Sequence, residues 1–224
     1  MNRSNTTPIH HMKRAFAMVF RPKLALSIGF FAIGTGAVAD VALVGRAAER
    51  SFAAMPQVTF VDQISGQCGA DLRVNSQIAY CTSRNEILMT NSAAKTPEAG
   101  YLLAHTFGHA VQVQHGVADI ALRTIRDNPT LEADLRGYVA RQVDCIAGVI
   151  YARSGLPKAR LAQWRGDDPF DGPHWGRMPL SNGPRMGIGN QARDKWFQTG
   201  QNGQLSDCAV GVFGADLLLS ADRW

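Results

Sequence analysis

Between Thr96 and Gly116 the chain reads as one helix, and that helix presents His105 and His109 on a single face. Its opening is written in Thr96-Pro97-Glu98: a threonine placed to cap, a proline at the first helical position and an acid in the first turn. Gly116 stops it just after His115. Side chains four residues apart lie one above the other on a helix, so the two imidazoles project together. That is the spacing with which a zinc ion takes its first two protein ligands. Two histidines so placed are by themselves more often structural than metal-binding, so the rest of the chain must decide what they do.

At 224 residues the chain holds one well-cored domain and a leader. Its net charge of +5 invites a polyanionic partner until the charge is located. Arg3, Lys13, Arg14, Arg21 and Lys23 all fall within residues 1–39, which contain no acid. Beyond them eighteen basic residues face eighteen acidic ones, so the body is neutral and a nucleic-acid partner is not expected. The basic start runs into an apolar stretch, Leu24 to Ala39, with small residues before Asp40, the order of a cleavable export signal. The same stretch extended to Gly45 is just long enough to cross a bilayer as an uncleaved anchor. Both readings make residues 1–39 a leader and 40–224 the domain, exported to the periplasm or held there on the inner membrane. The membrane is touched only through residues 24–45, and only if the leader is left uncleaved.

Export suits the four cysteines, an even number with no Cys-x-x-Cys pair. Of three possible pairings the favoured one joins Cys68 to Cys81 across a strand-and-turn region and Cys145 to Cys208 across a long loop.

Residues 41–55 read as a short helix or tether ended by Pro56. Strands are expected at 58–61, 78–81 and 86–90, the last two forming an antiparallel hairpin around Thr82-Ser83-Arg84-Asn85. A second long helix begins behind Asn128-Pro129-Thr130, carries Leu131 to Arg153 and ends at Gly155. Small residues in Cys145-Ile146-Ala147-Gly148 would let another helix approach it closely. Residues 166–190 are rich in Gly, Pro and Asp and read as an ordered loop or lid. A last helical piece covers Ala192 to Phe197, and Asp216 to Trp224 carries no clear signal.

Several landmarks stand in a fixed order: Cys68-Gly69, Tyr80-Cys81, His105-x-x-x-His109 with Val111-Gln112, Gln142-x-Asp144-Cys145-x-Ala147-Gly148, Trp196-Phe197 and Cys208. Together they resemble the bacterial neutral zinc metallopeptidases. The resemblance implies an α+β fold, a small antiparallel sheet packed on a zincin-like pair of helices. In that family the first helix reads His-Glu-x-x-His, the glutamate acting as general base for metal-bound water. Here the base position is Thr106, whose hydroxyl is not basic near neutral pH. The resemblance also places the third metal ligand, a glutamate, on Ala140, and the aspartate that holds a ligand histidine from behind on Asp144. A further polar position falls on Ile188.

The departures therefore collect on the chemistry. With His105 and His109 alone, zinc is expected to bind weakly or not at all unless Asp144 swings in as a substitute ligand. His115 lies off the shared helix face; His174 could reach in only if its loop folds over the site, and reads rather as a surface residue; Glu132 and Asp134 read as a solvated helix start. Trp164, Trp175, Trp196 and Phe197 read as core or loop anchors. Three functions remain open: a pseudo-peptidase that binds a peptide or envelope protein without cutting it, a working zinc peptidase using His105, His109 and Asp144 with a base from elsewhere, and an envelope protein needed only for assembly.

Overall fold

The computed structural model describes residues 35–164, 166–170, 172–176 and 187–224. The leader reading of residues 1–34 lies outside the described residues. Helix α1 (Thr35–Ser51) runs unbroken through the Ala39–Asp40 junction, and Val41, Val44, Ala47 and Ala48 along it are buried in the main core. Val41 and Val44, which the longer anchor reading assigns to a bilayer, pack here with residues of the two long helices that follow. Among the described residues no helix is long and apolar enough to cross a membrane.

Strands β1 (Gln57–Val61), β2 (Ile78–Cys81) and β3 (Glu86–Thr90) follow, and a two-residue strand β4 (Trp175–Gly176) returns late in the chain. The sheet order is β1-β3-β2-β4. The hairpin of β2 and β3 is antiparallel as its turn predicts, with Tyr80 opposite Ile87. The sheet as a whole is mixed, which corrects the antiparallel expectation: β1 pairs parallel to β3 and β4 parallel to β2. The reason is connectivity. The long excursion from Asp62 to Gln77 returns the chain to the far side of β3, and β4 arrives only after three helices, so neither edge is made by a hairpin.

Helix α2 (Ala99–Gln114) is enclosed on every side, each residue from Ala99 to Gln112 being buried. A helix without a polar face is one the rest of a domain wraps. It begins later than the proline signal suggests. Thr96 turns its hydroxyl back to the Ala93 carbonyl, closing a short 3₁₀ turn before the helix instead of capping it. Gly116 adopts φ 78°, ends α2 and at once opens α3 (Val117–Asp127), a helix not foreseen from the sequence. Helix α4 (Glu132–Arg153) follows a Pro129–Leu131 turn and stops at Gly155 as expected.

Helix α5 (Asn190–Asn202) lies against α4 at backbone contact. A methyl group added to Gly148 would stand 2.1 Å from the Phe197 carbonyl oxygen, and one on Gly200 1.9 Å from that of Cys145. The small residues of α4 thus serve the close approach their spacing announces. The last helix, α6 (Asp216–Ala221), is followed by a tail whose Asp222 accepts from Arg153 Nη1 and Nη2 at 2.6 and 2.7 Å.

Disulfides join Cys68 to Cys81 and Cys145 to Cys208, the pairing favoured from sequence. In chain-entropy terms the two loops contribute about 3 and about 4 kcal/mol to stability. The two disulfides fit an oxidising, exported environment.

Candidate metal centre

His105 and His109 face the same space from α2, one turn apart, and a third imidazole meets them there. His174 is buried at 7% exposure, and its Nε2 lies 3.2 Å from His105 Nε2 and 3.0 Å from His109 Nε2. A tetrahedral zinc ion with bonds of 2.0–2.1 Å holds its nitrogens about 3.3 Å apart. The three ligand atoms all lie within 4.8 Å of one another, so the group can hold a metal ion.

The arrival of His174 corrects the surface reading of that residue, and the cause is strand pairing. The His174 carbonyl accepts the Tyr80 N–H at 2.8 Å, that of Pro173 accepts the Asn75 N–H at 2.8 Å, and that of Gly176 accepts the Thr82 N–H at 2.9 Å. The Gly- and Pro-rich segment is thereby laid along β2 and delivers its histidine to the face of α2. Aromatic rings hold the imidazoles flat: Phe170 stacks on His105 at 3.7 Å and Trp175 on His109 at 4.8 Å between centroids. Trp175 is therefore part of the site as well as a loop anchor.

Behind the trio, Asp144 of α4 does not reach in as a ligand. Its Oδ1 accepts from His105 Nδ1 at 2.7 Å and from the Tyr101 hydroxyl at 2.9 Å, and its Oδ2 accepts from Arg193 at 3.0 Å. Both oxygens are thus committed to orienting other groups, the role in which such carboxylates fix a ligand imidazole and raise its basicity. Arg193, from α5, is 1% exposed and binds Asp168 through Nε at 2.5 Å. Burial works against this cation, but the Asp144 and Asp168 charges outweigh it and raise its pKa. Burial likewise pushes the Asp144 carboxyl up to about 6, with Arg193 and Tyr101 pulling the other way.

The hydrogen bonds assign the tautomers. His105 Nδ1–H is spent on Asp144 and His174 Nδ1–H on the Gly172 carbonyl, at 2.8 Å, so both Nε2 atoms carry lone pairs. Two lone pairs 3.2 Å apart repel unless a cation lies between them. A proton is a poor candidate near neutral pH. Burial, with the neighbouring positive charges, drives His105 and His109 well below the usual histidine range, and burial takes His174 to about 4. His109 Nδ1 is buried with no hydrogen-bond partner among the described residues. The Nε2 lone pairs of His105 and His174 converge, and His109 joins them in the tautomer that carries its proton on Nδ1; that is a donor set a divalent ion satisfies.

Against the trio lies a cavity of ≈ 120 Å³, also lined by Ala140 and Arg136 of α4, the apolar face of α3, Pro173 and Trp175. Among the described residues no Asp or Glu is part of its lining. Thr106 is fully buried and does not reach it; its hydroxyl donates to the Leu102 carbonyl at 2.8 Å inside the helix. Ala140 borders the cavity with its methyl, and Ile188 is not part of the lining. His115 and Asp134 stand outside the group, and Glu132 pairs at 2.7 Å with Arg136. Tyr101, Arg193 and Phe170 are site residues that sequence reasoning did not find, and His174 is one it weighed and read as surface.

The landmarks on α2 and α4 are joined physically. Gln112 donates to the Gln142 side-chain oxygen at 3.0 Å, and Gln142 donates in turn to the Cys208 carbonyl at 3.1 Å. This relay crosses from the metal-facing helix to the disulfide that anchors the C-terminal segment. No protein-family model, curated protein or solved structure matches the chain.

Proposed function

We propose that this chain is an exported zinc-binding protein of metallopeptidase-like build, in which His105, His109 and His174 hold the ion and hydrolytic activity is impaired or absent. The observation that carries the reading is the pair of converging Nε2 lone pairs on His105 and His174, each imidazole fixed from behind by its own acceptor. An all-imidazole set suits zinc, as it does copper, iron and nickel, and three imidazoles with an open fourth position are a known catalytic zinc arrangement. Bound there, zinc would supply a Lewis acid with a fourth position open toward the cavity.

The chain's own residues do the rest. Asp144 holds the His105 tautomer, Gly172 that of His174, and Phe170 and Trp175 wall the rings. What a peptidase needs in addition is a proton acceptor beside the metal, and among the described residues the cavity offers arginines where a carboxylate is required. Losing a positioned general base lowers the rate by roughly 10²- to 10⁴-fold. The order of landmarks supports the neutral zinc metallopeptidase ancestry, and the Gln112–Gln142–Cys208 relay gives three of them a structural task. With the leader and disulfides, it also supports residence in the periplasm or on its membrane face. A peptide or envelope protein is the partner this reading favours.

The test is zinc titration of chelator-stripped protein, followed by a peptide cleavage assay. One equivalent of zinc is expected, His174→Ala should weaken binding at least 100-fold, and cleavage should stay at background. Zinc uptake indifferent to His174→Ala would overturn the ligand set. Chelator-sensitive turnover would overturn the loss of hydrolysis.

A further inference from the structure

The cavity beside the trio has a composition of its own. Its floor is the apolar face of α3, Ala118, Ala121, Leu122 and Ile125, which follow one another at helical spacing. Its other wall is one face of α4, where Arg136, Val139 and Ala140 lie three and four residues apart. Leu122 is 45% exposed, so the cavity opens to solvent along that edge. Among the described residues the charged or titratable side chains of the lining are Arg136, Arg193 and the three histidines, and most of the rest is hydrocarbon.

Resting on the metal reading above, we propose that this pocket binds a small organic carboxylate with a compact aliphatic body. The carboxylate takes the position between the ion and Arg136, and the hydrocarbon lies against α3. Charge complementarity decides the head group: an anion meets a divalent ion and a guanidinium, whereas an amine would meet only like charge. Arg136 commits its Nε–H to Glu132 at 2.7 Å, and a guanidinium has four further N–H donors with which to meet a second carboxylate. Ala140 leaves space beside the imidazoles that a longer side chain would fill. The cavity, ≈ 120 Å³, holds a body of a few carbons, so a peptide partner would enter it only by a terminal carboxylate and one side chain.

The probe is 4-methylpentanoate, with the neutral 4-methylpentanamide as its control, added to the full protein loaded with cobalt(II) in place of zinc. Binding is read from the visible absorption of the cobalt, which responds to a new oxygen ligand. The acid should saturate in the millimolar range or below, with the amide at least tenfold weaker. Arg136→Gln, at a partly exposed position, should weaken the acid about tenfold and leave cobalt uptake unchanged. Ala140→Leu should abolish acid binding by filling the space, again with cobalt retained. Equal binding of acid and amide, preference for an end-blocked leucine peptide, an Arg136→Gln variant that binds like the parent, or no spectral change at tens of millimolar would each overturn the carboxylate pocket while leaving the metal site standing. Failure to take up cobalt would overturn the metal reading, and this inference with it.

Discussion

Asp144 shows how much one side chain decides in this protein. It receives three donors, from His105, Tyr101 and Arg193, and is fully buried. An ionised carboxylate in such a place costs several kcal/mol of desolvation, offset only while its partners stay in position. Asp144→Asn keeps the shape and removes the charge. An amide can accept the His105 Nδ1–H only by turning its NH₂ toward Arg193, so one contact or the other is lost. Zinc affinity should fall 10- to 100-fold, the range for groups that hold a ligand histidine from behind, with the circular dichroism spectrum unchanged. Unaltered affinity would remove Asp144 from the site. From sequence, Asp144 was legible only through the family resemblance, which places the histidine-holding aspartate four residues past Ala140 on one helix. Arg193, the partner that balances its charge, was not, since it comes from another helix nearly fifty residues on and no local pattern links the two.

Elements decide whether these residues meet. The α4–α5 crossing places Asp144 beside Arg193, and it exists because Gly148 and Gly200 let the two backbones touch. Gly148→Ala and Gly200→Ala each drive a methyl into a carbonyl, and the clash is with backbone that no rotamer change relieves. Each should lower stability by about 1–3 kcal/mol or more, measured by urea unfolding, and weaken zinc binding through the displaced Arg193. Full stability in both variants would mean the helices have room to separate. Small residues in α4 signalled this crossing, and the caps and stops signalled α4 itself. Helix α3 was missed because Gly116 reads equally as an end and as a pivot. Its positive φ makes it the pivot. The parallel pairings of β1 and β4 are long-range choices, and His174 could not be placed without β4. A Gly- and Pro-rich stretch looks like a loop from within; only Tyr80 and Thr82, ninety residues earlier, show that it has a sheet edge to join.

At the scale of the whole molecule, burial of the three imidazoles ties stability to pH and to the ion. In the metal-free protein His174 has a pKa of about 4, against an ordinary 6.5 when unfolded. The unfolded chain therefore takes up the proton first. The stability this neutral imidazole gives is whole above pH 6.5 and drains as pH falls toward 4, on the order of 2 kcal/mol by pH 5. His105 and His109 are lowered in the same direction. Asp144, raised to about 6, works the other way, its protonation favouring the folded form as pH drops from 6 toward the usual carboxylate range. Three imidazoles outweigh one carboxyl, so the melting temperature of chelator-stripped protein should fall between pH 7.5 and 5. Zinc at one hundred times its dissociation constant should add about 2.7 kcal/mol at pH 7.5. Because protons compete poorly for imidazoles held this low, most of that increment should survive at pH 6, where histidines of ordinary pKa would already be giving up the metal. Scanning calorimetry with and without zinc across this range measures both effects. A stripped protein whose melting temperature does not change from pH 7.5 to 5 would show that the three rings are not buried together as neutral groups, and with that the case for a cation between them would be lost.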